Sequence, residues 1–142
     1  MKIAVDFDGT IVEHAYPEIG KDMLFAFETL RELQKQKHQL ILWTFRSGKE
    51  LDEAIEYCKK KGIEFYAINK NYPEEVYNET ISRKINADIY IDDRNVGGFP
   101  GWSKIWEMLN EEQYMIKMQL KNIKKKYKTP FFKRFLDVNK NK

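Results

Sequence analysis

Residues 1–10 read Met1-Lys-Ile-Ala-Val-Asp6-Phe7-Asp8-Gly9-Thr10. Lys2–Phe7 is short, apolar and β-branched, and it breaks at an Asp-Gly pair. That is the pattern of a buried strand running straight into carboxylates. The pattern recurs along the chain. Leu40–Thr44 (LILWT) is a second apolar run, followed by Arg46, and Ala87–Ile91 (ADIYI) ends in Asp92-Asp93. Ile63–Ile68 reads as a further strand between them.

Helical spacing separates these runs. Met23, Phe27, Leu30 and Leu33 share one face of a helix expected over Lys21–Lys37. Ser47-Gly-Lys-Glu50 has capping-box spacing and opens a helix whose inner face is Leu51, Ala54, Ile55 and Cys58, with Gly62 as its stop. Pro73–Asn86 is a weaker helix or a loop. Trp102, Trp106 and Leu109 space a last helix. Strands alternating with helices predict an α/β domain, a Rossmann-like three-layer sandwich with a mainly parallel sheet.

In such a sheet the C-terminal strand ends share one edge, which is where ligands bind. Asp6, Asp8, Thr44, Arg46, Asp92 and Asp93 would therefore converge. Carboxylates crowded together shift their pKa values or recruit a cation. All-oxygen ligands without a Cys/His cluster point to a hard ion, Mg²⁺, and a phosphate substrate complements it.

The rest of the composition sets bounds. The chain has 142 residues, 42% hydrophobic and 33% charged, with one cysteine, which excludes an intrachain disulfide framework. No apolar run approaches the ~20 residues of a membrane span. The N-terminus does not resemble a signal peptide, so a cytoplasmic protein is expected. Charge is uneven: residues 111–142 carry ten Lys/Arg and three Asp/Glu, whereas residues 1–110 carry 15 and 19, a net −4. A domain over 1–110 and a basic helical tail over 111–142 are expected.

The quoted residues resemble the haloacid dehalogenase superfamily of phosphohydrolases. Asp6-Phe7-Asp8-Gly9-Thr10 is similar to its first motif, DxDGT. Thr44 is similar to the second, Lys84 in SRKI to the third, and Asp92-Asp93 to the acidic fourth. The resemblance covers about residues 1–110. It implies that Asp6 is a nucleophile forming an aspartyl-phosphate and Asp8 a general acid/base. Thr44 would hold a phosphoryl oxygen, and Lys84 would pair with Asp6 and the phosphoryl group. Mg²⁺ would be bound by Asp6, Asp8 through its backbone carbonyl, and Asp92 or Asp93. It further implies a first strand lying between the second and fourth.

Thr10–Leu40 and Phe45–Lys84 are too short to hold a separate lid, so the capless class is expected. An open site admits large substrates or a polymer end, and WTFRSGKEL with IDDR weakly resembles polynucleotide-end phosphatases. Gly9, Thr10, Phe45 and Arg46 are the candidate substrate contacts, with Arg46 either a grip on a second anionic group or a partner in a surface salt bridge. Ile11–Gly20 would form a flap from which Glu13, His14 and Tyr16 select substrate. Asn69 and Asn71 either touch the leaving group or make a turn. Asn95, Gly97 and Gly98 shape the loop after Asp93.

In the tail, Ile116, Leu120, Ile123 and Tyr127 form one stripe, with Lys117, Lys121, Lys124, Lys125 and Lys128 around it. A docked helix is the plain expectation. A nucleic-acid arm or an anionic-membrane helix is the alternative, kept open by Phe131, Phe132 and Phe135. The expected function is a Mg²⁺-dependent phosphomonoester hydrolase acting on a phosphorylated small molecule or polymer end. The competing readings are a non-catalytic phosphate- or partner-binding module and a phosphotransferase. Oligomerisation that covers the site is compatible with all three.

Overall fold

The structure, a computed structural model, describes residues 1–111, 115, 119–121 and 123. Four strands form an all-parallel sheet: β1 (Lys2–Val5), β2 (Gln39–Leu42), β3 (Ala67–Ile68) and β4 (Ile89–Ile91), in the order β3-β2-β1-β4. The first strand thus lies between the second and the fourth. Register runs Val5↔Leu42 and Val5↔Ile91, so the residues after these positions leave the sheet side by side.

Alternation divides the strands between two faces. Ala4, Ile41 and Ala67 share one face, where Ile85 covers them and Trp43, Tyr66 and Tyr90 pack alongside. Ile85 comes from a segment without a helix, so this cover is irregular chain and Pro73–Asn86 is a loop. The Tyr90 hydroxyl donates to the Ile85 carbonyl and holds that cover down. Ile3, Val5, Leu40 and Leu42 face the other way and are fully buried. Truncating one of them to alanine is expected to cost ~2–5 kcal/mol.

The helices are α1 (Ala26–Lys35), α2 (Gly48–Lys60) and α3 (Trp102–Leu109). α1 and α2 lie side by side: Phe27 and Tyr57 meet at 6.0 Å, and Arg31 Nη1 donates to the Lys61 carbonyl at 2.8 Å. α1 is shorter than its periodicity predicts. Residues 21–23 are drawn into β-type pairing instead: Glu13 N donates to Lys21 O at 2.8 Å and Met23 N to Ile11 O at 2.9 Å. Phe25, left-handed at φ 63°, then separates that pairing from the helix. Ser47 does precede α2 in extended geometry, but its side chain makes no capping hydrogen bond. The capping-box expectation fails there. Ala54 and Cys58 are the buried positions of α2, and Gly62 follows it at φ +83°. The strand expected over Ile63–Ile68 is reduced to two residues, Ala67 and Ile68, because only these pair with β2.

The chain divides into compact units Met1–Lys104 and Ile105–Lys142, a boundary inside α3 rather than after Asn110. In the first unit the Trp102 indole donates to the Thr10 carbonyl at 2.7 Å. In the second, residues 111, 115, 119–121 and 123 are helical, and Leu120 and Ile123 are about half exposed. Ile116, Tyr127, Phe131, Phe132, Phe135 and the lysines other than Lys121 lie outside the described residues. No helix among the described residues is long and apolar enough to cross a membrane.

Candidate active site

β1 ends at Val5, and Asp6 N still donates to Ile91 O at 2.9 Å. That bond aligns the end of β1 with the end of β4, so Asp6 and the Asp92-Asp93 pair leave the sheet next to each other. Each of the three offers a carboxylate oxygen, and these oxygens lie within 4.8 Å of one another. The Asp93 Oδ2 accepts a 2.7 Å hydrogen bond from His14 Nε2, whereas Asp93 Oδ1 is buried with no hydrogen-bond partner. A buried, unpartnered carboxylate oxygen among carboxylates is costly unless a cation meets it. The donor set therefore fits a hard divalent ion such as Mg²⁺. Burial pushes the Asp6 carboxyl up to about 7, and the charges of Asp92 and Asp93 add to it. A backbone hydrogen bond from Phe7 and the Thr10 hydroxyl, 3.3 Å away, work in the opposite direction.

After Asp6 the chain turns tightly. Ile11 N and Val12 N both donate to the Phe7 carbonyl, at 2.9 and 3.1 Å. Gly9 sits at φ +82°, where a Cβ would come within 2.3 Å of His14 Nε2 and 2.6 Å of Asp93 Oδ2. Gly9 thus makes room for the His14–Asp93 bond. Thr10 is fully buried, its hydroxyl on Asp6 and its carbonyl under Trp102, so it is a support and not a substrate contact.

The Asp8 carboxylate stands apart from the three-acid cluster. Arg46 grips it in parallel, Nε to Oδ2 and Nη2 to Oδ1, both 2.7 Å. Arg46 is 2% exposed, and two further N–H groups, on Nη1 and Nη2, reach the carbonyls of Pro17 (2.9 Å) and Glu18 (2.7 Å). Its guanidinium lies between the Phe7 and Tyr16 rings, 4.9 and 5.2 Å from their centroids. The hydrogen bond to Asp8 raises its pKa further. Four of the five guanidinium N–H groups are thus engaged within the protein itself. Arg46 fixes Asp8 and pins the flap, whose base is tied down by Asp22 bonding Lys61 Nζ at 2.6 Å.

Thr44 follows β2. Its amide donates to Asn69 Oδ1 at 2.8 Å, and its Oγ1 accepts from Arg46 N at 3.2 Å. Asn69 is itself left-handed, at φ 51°, with its amide on Leu42 O. It holds the end of β2. Asn71 likewise makes local bonds, to Glu75 and to Asn86 N.

Lys84 departs from the expectation. It is exposed, and its ammonium lies 5.2 Å from the Tyr90 ring centroid. It is not among the residues lining the cleft. Tyr90 alternates with Ile91 on β4, so it faces the Ile85 side of the sheet and takes Lys84 with it.

These residues surround a cleft of about 600 Å³ lined by Asp6, Asp8, His14, Tyr16, Trp43, Thr44, Phe45, Arg46, Asp92 and Arg94. Arg94 and Trp43 had no assigned role in the sequence reading. Asp92 Oδ1 accepts from Arg94 N at 2.8 Å, so the turn after β4 brings Arg94 to the rim.

A solved structure described as that of a conserved protein coded by a locus of Bacteroides thetaiotaomicron is 62% identical to the chain, with a TM-score of 0.75. The match covers 79% of this chain and 91% of that one. The chain belongs to that protein's family. No family model and no curated protein matches it. At this identity the parallel α/β fold is common to both proteins.

Proposed function

We propose that the cleft hydrolyses phosphomonoesters with the help of Mg²⁺, through a phosphoryl group carried on Asp6. One observation carries this reading: Asp6 and the Asp92-Asp93 pair converge at the C-terminal edge of a parallel sheet, and Asp93 keeps a buried carboxylate oxygen that has no partner. Bound there, the cation supplies the charge neutralisation that lets one anion attack another.

The chain's own groups take the remaining roles. The Asp6 carboxylate attacks phosphorus; an O–P bond forms to Asp6 as the ester O–P bond breaks. Asp8 protonates the departing oxygen and afterwards takes a proton from the water that cleaves the acyl phosphate. Thr44 Oγ1 accepts from Arg46 N, which leaves its own proton to donate to a phosphoryl oxygen. With Lys84 outside the cleft lining and Arg46 held by Asp8, Arg94 is the cleft-lining cation, among the described residues, that no carboxylate holds. It takes the charge-compensating role that the resemblance gives to Lys84.

The clamp on Asp8 favours a second reading. A carboxylate held by two Arg46 hydrogen bonds is an acceptor only, as in a module that binds phosphate without turnover. Phosphate release from an aryl phosphate separates the readings. The hydrolase requires release that EDTA stops and Asp6→Asn abolishes while the fold is kept. Equal release by Asp6→Asn defeats the assignment of the nucleophile. Phosphate binding without release supports the binding module. Added acceptor alcohols that collect the phosphoryl group identify a phosphotransferase.

A further inference from the structure

The cleft has two chemically different ends. Its carboxylates and Thr44 gather at the strand ends, whereas its apolar lining is Tyr16, Trp43 and Phe45, all aromatic, with no aliphatic side chain among the lining residues. Phe45 is 99% exposed although it directly follows Thr44. Trp43 is half-buried, one side against the Ala4–Ile41 core.

Tyr16 is 59% exposed yet fixed. Its ring lies over the Arg46 guanidinium, and Arg46 also bonds the next two carbonyls, Pro17 and Glu18. A ring anchored in this way stacks on a ligand without first being ordered. The polar groups are largely committed: Asp8 to Arg46, His14 to Asp93, Asp6 to the acidic cluster, and Thr44 and Arg94 to the phosphoryl group of the proposed reading. Little remains to read the hydroxyls of a sugar or polyol. A volume of about 600 Å³ falls in the range of small-molecule sites and exceeds what a phosphoryl group alone occupies.

We infer that the aromatic end receives a planar ring, so that the substrate is a phosphomonoester whose alcohol part carries an aromatic ring, a nucleotide being the simplest case. The inference rests on the phosphomonoester reading for the other end of the cleft. Tyr16 and Phe45 recognise the ring face, which is tolerant of ring identity because every base offers a π-face.

The test compares adenosine 5′-monophosphate and ribose 5-phosphate, in kcat/KM with Mg²⁺ and in binding by calorimetry. Stacking predicts a preference for the ring-bearing compound of about 5- to 150-fold. That ratio falls at least about 5-fold in Phe45→Ala or Tyr16→Ala. A wild-type ratio near one for every ring-bearing compound tested, or a preference unchanged in both variants, overturns the inference. If no phosphate is released from either compound, the aryl phosphate assay decides the hydrolase reading, and the binding ratio still decides the ring slot. Adenosine 3′-monophosphate and short oligonucleotides phosphorylated at either end separate a free nucleotide from a strand end. Preference for any one of these ring-bearing compounds over ribose 5-phosphate supports the slot, and preference for none defeats it.

Discussion

Arg46 and Asp8 are joined by two hydrogen bonds of 2.7 Å each, and the same guanidinium bonds the carbonyls of Pro17 and Glu18. One buried side chain therefore sets both a carboxylate of the site and the loop beside it. Removing one partner of a buried pair strands the other charge, at a cost of ~3–5 kcal/mol. Arg46→Ala should lose about that much stability in urea unfolding, and it should open residues 13–20 to proteolysis. A loss below ~1 kcal/mol would mean that solvent replaces the pair.

Asp6 gives a pH prediction. Its carboxyl is raised from the usual 3.8 to about 7, first by burial and then by Asp92 and Asp93. The folded state thus binds this proton more tightly than the unfolded chain. The stability it contributes is complete below about 3.8 and is lost as pH rises through about 7. In EDTA the Tm should fall across that window, and Asp6→Asn should flatten the fall. Parallel Tm profiles for the two proteins would refute the shift.

Protons and a cation compete for the same oxygens. Added Mg²⁺ should stabilise the protein by ~2.7 kcal/mol at pH 8, at a hundredfold excess over Kd, and by less at pH 6, read as a smaller rise in Tm. Asp93→Asn should abolish the rise, since it removes the unpartnered oxygen or its charge. A rise independent of pH, or one retained by Asp93→Asn, would place the ion elsewhere.

Gly9 is a tight steric constraint beside the acidic cluster. Alanine there meets His14 Nε2 at 2.3 Å and also takes an unfavourable φ of +82°. The left-handed conformation alone costs ~1–2 kcal/mol. Gly9→Ala should therefore be destabilised by more than that and should lose the His14–Asp93 hydrogen bond, visible in the His14 ring resonances. Unchanged His14 resonances would show that the loop gives way instead.

Much of the sheet was legible because its cause is local. Buried parallel strands are apolar runs, and runs ending in Asp6, Thr44 and Asp92 announce both the strand and the edge that it feeds. Two kinds of feature were not legible. Partnerships across the chain leave no periodic trace: Arg46 with Asp8 and Asn69 with Thr44 are 38 and 25 residues apart. Faces are also lost where regular structure stops. Lys84 lies in a segment without a helix or strand, so nothing in its neighbours' spacing indicated that it would stack on Tyr90. The short α1 has the same origin, because the helical periodicity of Met23 and Phe27 was overridden by pairing between residues 21–23 and 11–13.

Cys58, inside α2, is fully buried, and burial pushes its thiol up to about 12. A thiol this far from its thiolate form is inert towards alkylating reagents in the folded protein. Because it is the chain's single cysteine, a second one introduced on the exposed flap would be the sole reactive handle. A fluorophore placed there would report flap movement on an otherwise wild-type background, with no native residue to remove first.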